Sequence, residues 1–457
     1  MSHNLEHTTI AALATPPGTG GLAVIRVSGP RAEELLRTLF VPAGQKKEMR
    51  ERRFTYGHLV HQGQTLDECM AVLMKAPRSY TREDVAELQV HGGEQVAHQV
   101  LAALYALGAA PAAPGEFTRR AFENGRLDLS QAEAVMQLVS ASGAQAARAA
   151  LRQLQGGTLR FVQDAQTELI GLMAGVTAAI DYPEEIDQQE AVGQLAPALL
   201  ALSERLRAAC DLRGARILQE GLQVALCGKP NAGKSSLLNA LLLENRAIVT
   251  DIPGTTRDTV EGSIDLDGIR VRLRDTAGIR ESQDSVERLG VQRALDAINS
   301  ADLRLMVLDM EQGPEAEDEA ILRLIAGRDN LYLLNKSDLA PHAAYPAWLK
   351  EHEDIPENQL LTVSARSGEG LDELRRRLRA AAGQPGLNSL TLERHMRLAD
   401  QAAQALARAA QAMEDDLPLD LCAVDMNEAL ALLGQVTGDN YSEALLDEVF
   451  SRFCVGK

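Results

Sequence analysis

The chain has 457 residues, of which 45% are hydrophobic and 24% are charged, and its formal net charge is −18. This length allows about three domains of roughly 150 residues each, with a composition ordinary for globular proteins. So acidic a surface repels phosphate backbones, and nucleic acid is expected to bind only through a local patch or with a basic partner. The five scattered cysteines form no CxxC pair, which gives no support to a disulfide framework or a zinc site. The cysteine usage, the lack of a signal-peptide pattern and a longest apolar stretch over residues 169–180 predict a cytoplasmic protein without a membrane span.

Residues 1–122 are predicted to form a mixed α/β domain. The segments TIAALAT, GLAVIRVSG and VAELQVHGG have strand-like patterns, and helical patterns follow the second and third of them. His91 lies near the end of the third segment, and a lone histidine is more often structural than catalytic. Arg26 and, further along, Arg126 are candidates for binding an anion, although ordinary surface pairing is the default interpretation.

Residues 123–217 have the Ala-, Gln- and Leu-rich periodicity of helices. One helical stretch continues through Ile180, a second covers about residues 195–219, and the loop DYPEEID separates them. Helical character returns over residues 384–457, after a linker with the sequence GQPGLN. The shared composition favours one helical domain into which residues 218–383 are inserted, and two independent helical segments are the alternative.

Strands and helices alternate in the inserted segment, which predicts a parallel sheet covered by helices. The string LQVALCGKPNAGKSSLLNALL contains a P-loop, Gly228-x-x-x-x-Gly233-Lys234-Ser235, in the strand–loop–helix context that this motif requires. Backbone N–H groups of such a loop and of the following helix N-terminus bind phosphate oxygens. Lys234 adds a cation at the β- and γ-phosphates, and Ser235 offers a hydroxyl to Mg²⁺.

Four further strings follow the P-loop in the order of a GTPase. GTTRD contains Thr256, a candidate magnesium ligand, and DTAG places Asp275 near Mg²⁺ and Gly278 at the γ-phosphate. In NKSD, Asp338 can accept hydrogen bonds from the ring N–H and the exocyclic amine of guanine, and adenine lacks this donor pair. SAR, beginning at Ser364, offers backbone N–H groups to the guanine oxygen. The ordered set predicts GTP rather than ATP as the nucleotide.

Ile279 stands where Ras-like enzymes carry the glutamine that orients the attacking water. Isoleucine cannot orient water, so another group must do so, and another positive charge must replace an arginine finger. Glu281, Asp284 and Glu287 are candidates for the first role, although each alone is more often a solvated helix residue. The side-chain carbonyl of Asn231 is expected close to a position that a monovalent cation could occupy.

Taken together, the strings PPGTGG, LQVHGG, PGEFTRRAFENGRLDLSQAEA, GKPNAGKSS, DIPGTTRD, DTAGIR, NKSD and the terminal FCVGK resemble the MnmE/TrmE family of tRNA-modification GTPases. The resemblance covers essentially all 457 residues. It implies a homodimer whose N-terminal domain pairs the subunits and has an α+β, aminomethyltransferase-like fold that binds tetrahydrofolate. It also implies a discontinuous helical domain and an inserted Ras-like GTPase domain.

The residues of the tail FCVGK alone suggest a frayed terminus. A prenylation box is excluded, because such a box requires aliphatic residues after the cysteine and this chain ends in Gly-Lys. The resemblance implies that the tail returns to a folate pocket and brings Cys454 near the one-carbon unit. Arg126 stands where lysine is more common in the family, and this swap keeps the charge but changes the geometry. Thr19 stands where a basic residue is common, which predicts weaker folate binding. The residues that match the site for 5-formyl- or 5,10-methylene-tetrahydrofolate are Arg26, Glu87, Arg126 and Lys457.

In the G domain, the resemblance implies dimerisation across the nucleotides that depends on K⁺. The cation replaces the arginine finger and Glu287 positions the water, with Lys234 and Cys454 as the other catalytic residues. The implied potassium ligands are Asn231, Thr250, Ile252 and Thr255, and the implied magnesium ligands are Ser235 and Thr256. The implied GTP-binding residues are Asn231, Ala232, Gly233, Lys234, Ser235, Ser236, Thr250, Asp251, Ile252, Pro253, Gly254, Thr255, Thr256, Asp275, Thr276, Ala277, Gly278, Asn335, Lys336, Asp338, Ser364, Ala365 and Arg366.

The resemblance also implies a reaction. In a heterotetramer with an FAD-dependent partner of the MnmG/GidA family, the protein adds an aminomethyl or carboxymethylaminomethyl group to carbon 5 of the wobble uridine of certain tRNAs. The folate supplies the bridging carbon, GTP hydrolysis drives opening and closing of the G domains, and Cys454 either attacks carbon 6 of uracil or packs against the folate. Two rival functions stay open: a regulatory GTPase that binds RNA without covalent chemistry, and a GTP-driven scaffold whose partner does all the chemistry.

Overall fold

The computed structural model describes residues 8–44, 49–244, 261–276, 285–352, 355–383 and 390–457. Contacts divide the chain into two compact units, and each is described by itself. The first unit comprises Met1–Met136, Gln153–Leu202 and Gln404–Lys457, and the second comprises Gln137–Arg152 and Ser203–Ala403. The borders between the units fall inside helices, so the predicted domain limits at residues 122, 217 and 383 stay predictions.

The first unit contains a seven-stranded sheet. Its strands are β1 (Ile10–Leu13), β2 (Leu22–Ser28), β3 (Phe40–Pro42), β4 (Thr55–His61), β5 (Gln64–Met74), β6 (Val85–His91) and β7 (Ala110–Pro111). They lie in the order β3-β4-β5-β6-β2-β1-β7, and all neighbours are antiparallel except β1 and β7. Alternation places Ile25 and Leu88 in the core and leaves Arg26 and Glu87, which are directly opposed in the register, on the other face.

Two helices, α1 (Ala32–Leu39) and α2 (Glu94–Ala106), bury their apolar sides in the core of this sheet. A third helix, α3 (Glu116–Glu123), begins after Gly115, whose φ of 68° favours glycine. Phe117 of α3 packs with Ile10 and Ala12 on the opposite side of β1 from the main core.

Five helices follow before the second sheet: α4 (Leu129–Ser140), α5 (Ala144–Leu154), α6 (Gly157–Asp181), α7 (Gln188–Ala208) and α8 (Leu212–Glu220). The predicted helical stretch over about residues 195–219 consists of two helices, and the first of them begins earlier, at Gln188. Helix α7 ends at Ala208, and Asp211 starts α8 by accepting a hydrogen bond at 2.8 Å from the backbone N–H of Gly214. A side chain that caps a helix N-terminus competes with continuation of the preceding helix, which explains the break.

The second unit contains a six-stranded sheet. Its strands are β8 (Leu222–Cys227), β9 (Glu261–Leu266), β10 (Ile269–Asp275), β11 (Leu303–Asp309), β12 (Asn330–Asn335) and β13 (Leu360–Thr362). The order is β13-β12-β11-β8-β10-β9, and every neighbouring pair is parallel except β9 and β10. Strand β8 is fully buried and lies between β10 and β11, so the chain crosses to the other side of β8 after β10. Ligands of open parallel sheets bind at the carboxyl ends of the strands beside such a switch point.

The helices of this α/β region are α9 (Lys234–Glu244), α10 (Ser285–Ser300), α11 (Ala316–Ile325), α12 (Tyr345–Glu351) and α13 (Leu371–Ala381). Three helices complete the chain: α14 (Glu393–Glu414), α15 (Leu419–Thr437) and α16 (Glu443–Ser451). Within the first unit, α15 packs along α6. Among the residues that the structure describes, no helix has the length and apolar character needed to cross a bilayer. The observed architecture confirms the predicted fold class.

Candidate functional site

The P-loop joins β8 to α9 in the second unit. Gly228 has a φ of 146°, and a side chain there would overlap the carbonyl oxygen of Val307 on β11. Gly233 has a φ of 94°, and a side chain there would overlap the amide of Asn335. The two glycines are therefore required by backbone conformation and by close approach, as the motif predicts.

Lys234 begins α9 and is nearly fully buried. Its Nζ donates to the carbonyl oxygens of Gly228 at 2.8 Å and Lys229 at 2.9 Å, which holds the ammonium over the loop. Burial lowers the pKa of Lys234, and the nearby carboxylate of Asp275 opposes this shift. The position is suited to a phosphate oxygen, which would replace the carbonyls as the partner of the ammonium.

The Ser235 hydroxyl lies against Asp275 at the end of β10. Ser235 Oγ donates to Asp275 Oδ2 at 2.7 Å, and the other carboxylate oxygen, Oδ1, is buried with no hydrogen-bond partner among the described residues. A buried carboxylate oxygen without a partner beside a hydroxyl suits Mg²⁺, which prefers oxygen ligands. The next residue, Thr276, is anchored by a 2.6 Å hydrogen bond from its Oγ1 to the carbonyl oxygen of Leu226.

The predicted guanine-binding residues converge at the carboxyl ends of β12 and β13. Asn335 Nδ2 donates to the Ala232 carbonyl oxygen at 2.8 Å, and Asn335 Oδ1 accepts from the Ala365 backbone N–H at 3.2 Å. Asn335 thus connects the P-loop to the SAR string. Ser364 Oγ donates to Asp338 Oδ1 at 2.7 Å, and this hydrogen bond lowers the pKa of the Asp338 carboxyl. An ionised Asp338 is the acceptor that the guanine edge requires.

Sequence reasoning missed two charged residues beside this site. Asp309, at the end of β11, accepts from Lys336 Nζ at 2.6 Å and thereby fixes the NKSD lysine. Lys229, inside the P-loop, is 2% exposed and donates to the Gly313 carbonyl oxygen at 2.9 Å, with Asp318 Oδ2 at 3.5 Å. The position of Asp309 after a buried strand was a usable signal, whereas nothing local to Lys229 indicates its distant partners.

Of the other predicted residues, Asn231 has a φ of 65°, Ser236 is exposed on α9, and the Arg366 backbone N–H donates to Ser364 Oγ at 3.3 Å. Glu287 lies in α10, but its side chain is not among those that the structure describes. The following residues also lie outside the described parts of the chain: Thr250, Asp251, Ile252, Pro253, Gly254, Thr255, Thr256, Ala277, Gly278, Ile279, Glu281 and Asp284.

In the first unit, the C-terminal tail lies on the N-terminal sheet domain. Val455 forms an antiparallel bridge with Pro114, and the Gly115 N–H donates to the Cys454 carbonyl oxygen at 3.4 Å. Gly456 has a φ of 95°, and a side chain there would overlap the Leu13 carbonyl oxygen at the end of β1. The tail is therefore a docked segment and not a frayed end.

Arg26 connects the tail to the sheet. Its Nε donates to Glu87 Oε1 at 2.8 Å across β2 and β6, and its Nη1 donates to the Gly456 carbonyl oxygen at 3.4 Å. The backbone N–H of Lys457 donates to the Cys454 carbonyl oxygen at 3.4 Å, which curls the end of the chain beside this contact. Three predicted folate-binding residues, Arg26, Glu87 and Lys457, are thus brought together.

Sequence reasoning missed Tyr80, which contacts two of the predicted folate-binding residues. The guanidinium carbon of Arg26 lies 5.4 Å from the centre of the Tyr80 ring, and that of Arg126 lies 4.6 Å from it. Arg126 Nη1 also donates to the Tyr80 carbonyl oxygen at 3.1 Å, and the Tyr80 hydroxyl is 2.9 Å from Thr118 Oγ1. One aromatic ring therefore holds both predicted anion-binding arginines through cation–π contacts.

His91 has a structural partner, as expected of a lone histidine. Its Nδ1 is 2.7 Å from Asp67 Oδ1, and its backbone N–H donates to Asp67 Oδ2 at 2.8 Å. The hydrogen bond to Asp67 raises the pKa of His91. Elsewhere, Cys454 is exposed, Thr19 is exposed in the loop between β1 and β2, and all five cysteines are free.

Two family models match the chain over most of its length. Residues 9–126 match the model described as GTP-binding protein TrmE N-terminus, and residues 129–454 match the model described as MnmE helical domain. The named relatives include proteins called tRNA modification GTPase MnmE from Listeria innocua and Enterococcus faecalis. The first is 41% identical over 99% of this chain and 100% of its own length, and the second is 41% identical over 100% of both.

Solved structures resemble parts of the chain. Aquifex aeolicus Era bound to GDP and AlF4⁻ is 28% identical and matches 40% of this chain and 66% of its own, with a TM-score of 0.30. The G domain of the T. maritima FeoB iron transporter is 28% identical and matches 35% of this chain and 98% of its own, with a TM-score of 0.27. From the full-length relatives and the two family models, the chain belongs to the MnmE family of tRNA modification GTPases.

Proposed function

We propose that this protein hydrolyses GTP in the cytoplasm and, as a homodimer together with an FAD-dependent partner of the MnmG/GidA family, modifies carbon 5 of the wobble uridine in certain tRNAs. The folate-derived carbon would bridge uracil to the amine of the aminomethyl or carboxymethylaminomethyl group. The observation that supports this most directly is the docking of the tail on the Arg26–Glu87 pair, since GTP hydrolysis alone does not need the tail to contact the N-terminal sheet.

The GTP reaction would use the side chains already arranged at the strand ends. The P-loop N–H groups and Lys234 bind the phosphates, and Asp338 accepts from the guanine edge, with Ser364 holding the carboxylate. Ser235 and Asp275 suit Mg²⁺, joined by Thr256 in our proposal, and the metal would neutralise charge on the phosphates when bound.

Potassium would supply the positive charge that other GTPases take from an arginine finger. The proposed ligands are Asn231, Thr250, Ile252 and Thr255, with Glu287 positioning the attacking water. A site of this kind is completed when two G domains meet across their nucleotides, which would make hydrolysis depend on dimerisation. Ile279 supports the proposal, because its side chain cannot take the water-positioning role.

The folate site would use the residues gathered around Tyr80. Arg26 and Arg126 provide cations, and Glu87 provides an acceptor for ring N–H donors, while Lys457 brings a further charge at the chain end. Cys454 precedes this contact on an exposed stretch, where its thiol either adds to carbon 6 of uracil or packs against the folate. Normal modification by a Cys454→Ser variant that still binds folate would leave only packing.

The proposal is tested with folate labelled in its one-carbon unit. The full-length protein, its FAD-dependent partner, GTP and unmodified tRNA are incubated, and the label in tRNA is measured. We expect transfer with the unaltered chain and almost none with Arg26→Ala. Arg31→Ala is the matched control, because Arg31 is an exposed arginine of the same unit that pairs with Glu34 on α1.

Two rival functions predict other results. A regulatory GTPase that only binds RNA gives no label in tRNA and no folate binding by the full chain. A scaffold whose partner does all the chemistry gives equal transfer with Arg26→Ala and with Arg31→Ala. Either result would overturn the proposed folate chemistry without affecting the assignment to the family.

A further inference from the structure

Arg119 on α3 binds three carboxylates at once. Its Nε donates to Glu123 Oε1 at 2.7 Å, its Nη1 to Asp447 Oδ1 at 2.8 Å and its Nη2 to Glu443 Oε2 at 2.8 Å. The Arg119 side chain is 17% exposed, whereas those of Glu443 and Asp447 are 77% and 69% exposed. The guanidinium is therefore the covered centre of the cluster, and α16 supplies two of its three partners.

The C-terminal end of α16 lies against the N-terminal end of α3. A Cβ built on Gly115, just before α3, would lie 2.8 Å from the Phe450 carbonyl oxygen and 3.0 Å from Phe453 Cβ. Arg119, one turn into α3, contacts Asp447 and Glu443, which precede Phe450. The two helices consequently lie antiparallel, with close backbone packing at one end and an ion cluster at the other.

This arrangement determines where the tail begins. Helix α16 ends at Ser451, and only Arg452 and Phe453 separate it from Cys454. The three Cα–Cα steps from Ser451 to Cys454 span about 10 Å at most, so the position of α16 limits where the tail can lie. The contact from Arg26 Nη1 to the Gly456 carbonyl oxygen is already 3.4 Å long, and a shift of a fraction of an ångström would remove it as a hydrogen bond.

The buried apolar side chains of α16 and Phe453 cluster with side chains of α4. Leu446, Phe450 and Phe453 pack against Leu129 and Ala132, and such packing tolerates small sliding better than a hydrogen-bonded fork does. Arg119 donates hydrogen bonds to Glu443 and Asp447, which lie one turn apart on α16. Together the two hydrogen bonds define the rotation of α16 about its axis and its position along that axis.

We propose that Arg119 is a positioning residue that locks α16 against α3 and so holds the C-terminal tail in the pocket formed by Arg26 and Glu87. The inference rests on the proposed folate function for its biological meaning, but the lock itself is a property of the fold. Two partly exposed ion pairs of this kind correspond to a factor of roughly three to ten in an equilibrium constant.

The first test measures binding of 5-formyltetrahydrofolate to the full-length protein by calorimetry. Arg119→Ala and the double variant Glu443→Gln/Asp447→Asn should each weaken binding about three- to tenfold. Arg452→Ala is the matched control, because Arg452 is an exposed arginine directly after α16 whose ion pair among the described residues is with Glu448 of the same helix. In a chain ending at Phe453, Arg119→Ala should cause no further loss, since no tail remains to be positioned. Unchanged affinity in the full chain, or an equal loss in the shortened chain, would overturn the proposal.

A second test does not need folate. A nitroxide spin label is attached to Cys454 in a Cys210→Ala background, because Cys69, Cys227 and Cys422 are buried. Electron paramagnetic resonance should show a restrained label with Arg119 and a faster-moving label with Arg119→Ala, while Arg452→Ala leaves the spectrum unchanged. Equal mobility in all three would refute the lock. A restrained label in the Cys210→Ala background that becomes mobile with Arg119→Ala, together with no folate binding by the unaltered chain, would support the positioning role of Arg119 and contradict the folate proposal.

Discussion

The GTP site is assembled differently from the place where the C-terminal tail contacts Arg26 and Glu87, which we call the tail pocket. In the GTP site, the functional residues lie at the carboxyl ends of parallel strands of one sheet, so β8, β10, β12 and β13 bring Lys234, Asp275, Asp338 and Ser364 to one edge. In the tail pocket, the contact between Arg26 and Gly456 joins residues 430 positions apart. A site built on strand ends depends mainly on local geometry, whereas the tail pocket depends on the packing of the whole first unit.

The largest expected effect lies in the GTP site, where one carboxylate determines the choice of base. Asp338→Asn should lower kcat/KM for GTP on the order of 10⁴-fold, because an amide faces the guanine donors with its own N–H groups. Xanthosine triphosphate, with a carbonyl in place of the exocyclic amine, should become the better substrate. Steady-state kinetics with both nucleotides checks this, with Asp329→Asn on the exposed surface of the same unit as the control. Retained GTP preference would mean that local geometry at β12 does not determine specificity.

This difference between strand-end geometry and long-range packing also explains which contacts could be predicted from the sequence. Each GTPase string carries its own strand and turn signals, and the structure has Gly228 and Gly233 in the loop between β8 and α9 and Asn335 at the end of β12. The nucleotide-binding role of these residues stays a prediction. Here the side-chain directions follow from a few local backbone angles. The docking of the tail was predicted only through family resemblance, because no local pattern near Gly456 points to Leu13 or Arg26.

Tyr80 and Arg119 mark the limit of this prediction. Tyr80 occurs in a loop whose sequence gives no hint that two arginines, from β2 and from beyond α3, will share its ring. Arg119 looks like one more surface arginine until α16, 324 residues away, supplies its partners. Such contacts arise from tertiary packing, which a single sequence does not specify residue by residue.

The next largest effect concerns the choice of monovalent cation, which tests whether the GTP site is complete within one chain. We expect K⁺ to raise the rate of GTP hydrolysis on the order of a hundredfold over Na⁺, since a fixed cation stabilises charge in the transition state. Asn231→Ala should remove this difference and leave a low rate in both salts. Single-turnover rates at equal ionic strength, measured over a range of protein concentrations, check the cation and the dimer together. Equal rates in the two salts would contradict the replacement of the arginine finger by K⁺.

The tail pocket should respond to a single methyl group. In Gly456→Ala, the added carbon would overlap the Leu13 carbonyl oxygen at a backbone φ of 95°, which residues other than glycine rarely adopt. We expect the tail to leave its seat and folate affinity to fall about tenfold, a difference of about 1.4 kcal/mol. GTP hydrolysis should not change. Val455→Ala, at an exposed neighbouring position, is the control and should bind folate normally.

The smallest expected effect concerns the sheet that carries the tail pocket, where Asp67 of β5 and His91 of β6 form a pair. The hydrogen bond to Asp67 raises the pKa of His91 in the folded state above its unfolded value near 6.5. The charged part of this stabilisation is therefore complete below about pH 6.5 and is lost as the pH rises through the raised folded-state pKa. Asp67→Asn should lower the melting temperature of the first unit slightly at pH 6 and less at pH 9.

Differential scanning calorimetry at the two pH values checks this, with Asp329→Asn, whose partner is an arginine, as a control without histidine. A larger loss at pH 9 than at pH 6 would contradict the assignment of the raised pKa to Asp67. Because the P-loop site contains no comparable histidine pair among its described residues, GTP hydrolysis by Asp67→Asn should follow the unaltered protein at both pH values. A pH response confined to the first unit would show that the sheet under the tail depends on a charge pair between strands, while the GTP site relies on backbone geometry.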